Sequence, residues 1–133
     1  VFNDPANEIT DPTNCGGILA IGGFCSSWET TTDNGMTYRR IAVGKVTMNN
    51  GWDKCAGWNG CNLAEVVTHE LGHAIGLGHS EMRGSTMAPS ANFDGRCANV
   101  AADDVAGAEA LYGDPNRATA TPSGTPTPTT HMF

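Results

Sequence analysis

The run His69-Glu70-Leu71-Gly72-His73-Ala74-Ile75-Gly76-Leu77-Gly78-His79-Ser80 gathers three imidazoles and one carboxylate into one short stretch. On a helix rising about 1.5 Å per residue, His69 and His73 share a face roughly 6 Å apart at the backbone, so one metal ion can bridge them. Glu70 follows the first of them directly and points around the helix within reach of a water held by that ion, the placement of a general base. His79 lies too far beyond His73 to return to the same ion along a continuing helix. Gly76 supplies the turn, because a residue without Cβ adopts positive φ at a helix C-terminus, and Gly78 loosens the return. Three histidines leave a fourth tetrahedral position for water, which marks a catalytic rather than a structural zinc. A bare His-Glu-x-x-His also describes a helix with two solvent-facing histidines. The third histidine, the glycine and Met87 in Ser85-Thr86-Met87-Ala88-Pro89 favour the metal.

The extended motif with its downstream methionine resembles the metzincin clan of zinc peptidases, and Ser80 directly after the third histidine resembles the matrixins within it. The resemblance implies one catalytic zinc on His69, His73 and His79, peptide hydrolysis by zinc-activated water with Glu70 as general base, and Met87 as an apolar floor beneath the metal. It implies an α+β fold: a twisted mixed sheet with an edge strand over the cleft, the active-site helix, a methionine turn and a C-terminal helix. Leu19 and Ala20 would be the rim on which an extended peptide adds itself as a further strand. Val66 and Pro89 would wall the pocket for the side chain after the cut bond, and Asp104 would brace the methionine turn. Plainer readings stand beside these: a core strand for Leu19 and Ala20, core burial for Val66, and a first-turn carboxylate favouring the helix dipole for Asp104. The chain departs from the matrixin pattern at Ile21, where a histidine for a second zinc is usual, at Asn49 and Asn50, where acidic calcium ligands are usual, and at Ala91, where a tyrosine is usual. One zinc is therefore expected.

The elements that must position these residues are read from pattern. Gly16 to Phe24, bracketed by glycine pairs and by Cys15 and Cys25, reads as a strand, and Tyr38 to Met48 as a longer one, with a polar loop over Thr30–Gly35 between them. Asn62 is expected to cap the motif helix, with Leu63, Val66, Val67, Leu71 and Ala74 turned to the core. A second helix is expected over Val100–Leu111, with Val105, Ala108, Leu111 and Tyr112 inward and Gly113 as its stop. Val1 to Asn14 reads as an irregular acidic loop; Asp4, Glu8 and Asp11 offer oxygen ligands for calcium, and a solvated loop is preferred. Local pairing of Cys15 with Cys25 and of Cys55 with Cys61 is the simplest guess, leaving Cys97 alone, although sequence does not fix connectivity.

With 39% apolar and 16% charged residues, the 133-residue chain can bury one modest core. One peptidase domain is expected over residues 1–113, lacking an N-terminal helix and first strands because no amphipathic helical pattern precedes Asn62. A Thr/Pro-rich linker or tail follows over 114–133. A net charge of -7 argues against nucleic acid and anionic membrane partners, and no apolar stretch has the length of a membrane span. Five cysteines without paired zinc-knuckle spacing place the chain in an oxidising, extracellular compartment. A secreted monomer acting on protein or peptide substrates is expected; the alternative is a zinc-stabilised secreted binding module without peptidase activity.

Overall fold

Between Ala20 and Met48 the chain is rich in β-branched and aromatic residues and holds no proline, which favours extended backbone. In the computed structural model of the protein, which describes residues 3–33 and 35–113, this stretch forms a hairpin of β1 (Ala20–Asp33) and β2 (Met36–Met48). The two strands pair antiparallel, from Ala20 opposite Met48 to Thr32 opposite Thr37. Register shifts after Cys25 and after Ser26 insert unpaired residues and bend the outer half of the hairpin. Two expectations change here. Thr30, Thr31 and Thr32 are strand rather than loop, because β-branched residues hold an extended backbone once Arg39, Tyr38 and Thr37 lie opposite. The sheet among the described residues is a two-stranded antiparallel one rather than mixed, since so short a connection joins antiparallel neighbours only.

The inner half of the hairpin packs on α1 (Gly60–Ala74). Ala20, Met48 and Val66 form the buried centre, with Leu19, Val46, Trp58 and Val67 packed around it. Asn59, not Asn62, caps α1: its side chain accepts from Cys61 N at 2.8 Å and Asn62 N at 3.1 Å. Asn62 instead donates to the Gly57 carbonyl at 3.0 Å. The inward face of the helix also differs from the expected apolar stripe. Leu63 and Leu71 are exposed, while Glu65 and Glu70 are buried beside Val66 and Ala74, so two carboxylates occupy positions that an ordinary core helix would fill with aliphatics.

The chain before β1 is held by buried polar groups. Asp4 accepts from Glu8 N at 2.8 Å and Ile9 N at 2.6 Å, and Asn49 donates to the carbonyls of Thr10 at 2.9 Å and Ile18 at 2.8 Å. Glu8 meets Lys45 at 3.0 Å. The structure therefore does not gather Asp4, Glu8 and Asp11 into a calcium site; the first closes its own loop and the second faces a lysine.

The second helix, α2, runs over Ala102–Tyr112, and Gly113 closes it with φ 73° and an N–H to the Glu109 carbonyl at 2.8 Å. Ala108 and Leu111 are half-buried, but Val105 and Tyr112 are exposed; the Tyr112 hydroxyl reaches the Ile75 carbonyl instead. The expected local disulfides are replaced by Cys15–Cys55 and Cys61–Cys97, with Cys25 free and exposed. Extended backbone carries Cys25 away from Cys15 at about 3.3 Å per residue, beyond disulfide reach. Cys61 stands in the first turn of α1, where the loop carrying Cys97 meets it at a Cα separation of 4.3 Å. The expected tail, residues 114–133, lies outside the described residues.

Candidate metal centre and cleft

His69 and His73 project from one face of α1, and the helix ends one residue later. Gly76, at φ 98°, donates to the His73 carbonyl at 3.0 Å, and Leu77 N–H closes on the Gly72 carbonyl at 2.9 Å. This reversal returns the chain so that His79 faces the helical pair, the outcome that a Cβ-free residue permits. His73 Nε2 lies 3.1 Å from His69 Nε2 and 3.2 Å from His79 Nε2.

The outer nitrogens decide what those short separations mean. His69 Nδ1 meets the Thr86 carbonyl at 2.7 Å, and His73 Nδ1 meets the Leu77 carbonyl at 2.8 Å. A carbonyl only accepts, so both Nδ1 atoms carry the proton and both Nε2 atoms present lone pairs to each other. Two lone pairs at hydrogen-bond distance repel unless a cation lies between them. Tetrahedral coordination at a Zn–N length of about 2.05 Å puts neighbouring nitrogens roughly 3.3 Å apart, close to the spacing here. The donor set therefore fits zinc, with carbonyl partners orienting two of the rings. Among the described residues, this is the group of three His, Cys, Asp or Glu side chains able to hold a metal.

Glu70 is buried against β1. Burial pushes its carboxyl above the ordinary carboxylate range, against the opposing pull of His69 and of the Gly22 N–H, which donates to it. A Cβ built on Gly22 would fall 2.2 Å from the Glu70 carbonyl oxygen, so glycine here is what lets strand and helix touch.

Beside the imidazoles opens a cleft of about 720 Å³. Ala20 to Phe24 of β1 form one side of it, along the strand edge that β2 does not pair. Leu19, Ala20, Val66 and Pro89 all line it, as does Gly76. Ala20 and Val66 belong to the core as well, so their lining surface is the face that the core leaves uncovered.

Met87 is buried against α1 at Gly72. Its turn is bound to α2 through Asp104, which accepts from Thr86 N at 2.8 Å, Met87 N at 2.9 Å and the Ser85 hydroxyl, and from Ala101 N at 2.8 Å. Burial alone would raise the Asp104 carboxyl, but the Ser85 hydroxyl and the N–H groups of Met87, Thr86 and Ala101 outweigh it and hold the pKa below the usual value.

Sequence reasoning missed Glu65 and the carbonyl partners of the imidazoles. Glu65 lines the cleft while accepting from Asn92 N at 2.6 Å and Phe93 N at 3.1 Å; its signal was a carboxylate inside the apolar face of α1. The Thr86 carbonyl orients His69, and a backbone atom leaves no signal in a sequence.

A family model described as Matrixin matches residues 26–113. Matrilysin of Rattus norvegicus is 43% identical over 60 residues, which cover 44% of this chain and 22% of that protein. Metalloendoproteinase 4-MMP of Arabidopsis thaliana is 41% identical over 56 residues, 41% of this chain and 16% of the relative. Interstitial collagenase of Oryctolagus cuniculus is 43% identical over 67 residues, 50% of this chain and 14% of the relative. The chain thus matches under a quarter of the length of each. No solved structure matches it.

Proposed function

The chain belongs to the matrixin family, and from that premise we propose that it is a secreted zinc-dependent endopeptidase hydrolysing peptide bonds of extended protein substrates. The observation that carries this reading is the convergence of three imidazole Nε2 atoms beside a buried carboxylate at the side of an open cleft. A zinc ion held by His69, His73 and His79 supplies a Lewis acid and an acidified water.

The chain's own residues do the rest. Glu70 acts as general base and then hands its proton to the leaving amine; burial raises its proton affinity toward that exchange. The unpaired edge of β1 offers backbone groups to an extended substrate, with Leu19 and Ala20 as rim. Val66 and Pro89 wall the pocket for a substrate side chain, Met87 forms the apolar floor, Gly76 returns His79 to the centre, and Asp104 holds the methionine turn. Two disulfides support an oxidising, extracellular setting, and no helix of the described residues is long and apolar enough to cross a membrane. On this reading the chain acts as a monomer with one zinc and without a nucleic-acid partner.

Cleavage of a denatured protein by the purified chain, with zinc content measured on the same sample and Glu70→Ala as control, tests the reading. Chelator-sensitive cleavage that is lost in the variant is expected. Stoichiometric zinc without cleavage would replace the peptidase by a zinc-stabilised binding module.

A further inference from the structure

Glu65 stands on α1 one helical turn before His69, 3% exposed, and still lines the cleft. Its two bonds to Asn92 and Phe93 pin the loop that carries the lining residues Ala91 and Phe93. Asn92 N–H and a Phe93 N–H shared between both oxygens do not exhaust a carboxylate, which has about four lone-pair sites. Leu19, Val66 and Phe93 give the same cleft apolar walls, and among the described residues no lysine or arginine lines it. Arg96, farther along that loop, is engaged by Asp94 at 2.5 Å and by the Gly84 carbonyl.

An apolar wall with a carboxylate on it, whose neighbouring cation Arg96 is bonded to Asp94 and Gly84 instead, complements one class of side chain: a methylene stem ending in a cation. We propose that Glu65 makes the cleft select peptides carrying lysine or arginine, the stem lying along Leu19, Val66 and Phe93 and the cationic head received by the carboxylate. The inference rests on the cleft being a peptide site, as argued above. A charge-assisted bond in a partly enclosed cleft is stronger than its counterpart in water. A substrate carboxylate in that place meets a like charge and is rejected, and the net charge of -7 favours approach of cationic peptides.

The test is a binding measurement on the full, zinc-loaded chain carrying Glu70→Ala. Fluorescent alanine-rich peptides that differ at one position, lysine, norleucine or glutamate, are titrated by anisotropy. The lysine peptide is expected to bind on the order of tenfold more tightly than the norleucine peptide, with glutamate weakest. Adding Glu65→Gln should abolish the lysine advantage while norleucine binding persists, because the amide oxygen still accepts from Asn92 and Phe93. An unchanged lysine-to-norleucine ratio in that variant, or no preference in its parent, overturns the proposal; a merely structural Glu65 would leave the ratio where it was. Arginine against its uncharged isostere citrulline asks the same question without altering Glu65, and equal affinities there also overturn it. Cleavage of the same peptides with Glu70 intact judges the peptidase reading separately: lysine preference without cleavage upholds the role of Glu65 and sinks only that reading.

Discussion

His73 carries the densest set of constraints in the centre, since one ring nitrogen is fixed by the Leu77 carbonyl while the other faces both remaining imidazoles. His73→Ala should therefore lose zinc, read as metal per chain after dialysis; retained stoichiometric zinc would remove His73 from the ligand set. Glu70→Gln keeps the ring geometry and the volume but loses the base. It should retain zinc while cleavage falls by about 10²–10⁴-fold, and loss of zinc instead would make Glu70 a structural residue. These residues were legible because a helix fixes the offset between two ligands and glycine marks the return of the third. Glu65 was not, because its partner Asn92 stands 27 positions away, and nothing local to Glu65 announces that loop.

Among the elements, α2 matters through one side chain. Asp104 ties it to the methionine turn, and the Thr86 carbonyl in that turn orients His69. Asp104→Asn should cost about 2 kcal/mol in urea unfolding. The sign with pH follows from the lowered pKa: the ionised carboxylate stabilises the fold fully above the unfolded value near 3.9, and this contribution is lost as pH falls through the folded value. The difference between wild type and Asp104→Asn should hold at neutral pH and shrink below about pH 4; a constant difference would mean that the charge is irrelevant. Both helices were legible from apolar spacing and glycine breakers. The cap of α1 was not, since Asn59 and Asn62 are equally good caps by type and only the fold of the loop before α1 chooses between them. The strand through Thr30–Thr32 lacked the alternation that a half-buried strand shows, because successive side chains on both of its faces are exposed.

For the whole molecule, the disulfides replace part of the core that a chain of this size cannot supply. Cys61–Cys97 closes a separation of 36 residues and fastens the first turn of α1 to the loop beyond the methionine turn. Loop-closure entropy makes it worth about 4 kcal/mol, so a Cys61→Ser, Cys97→Ser double variant should show a large drop in the urea midpoint. Cys25→Ser should leave the midpoint almost unchanged, and thiol titration of the folded protein should find one reactive group. Pairing by nearness in sequence failed because extended chain separates Cys25 from Cys15, while Cys55 and Cys61 meet partners 40 and 36 residues away.

The contact of Gly22 with Glu70 carries a mechanical consequence. Strand β1 borders the cleft, and the backbone of that strand rests without an intervening side chain on the residue proposed to move the proton. The width of the groove and the seat of the base are thus set by one contact between backbones, with no side chain between strand and helix to take up slack.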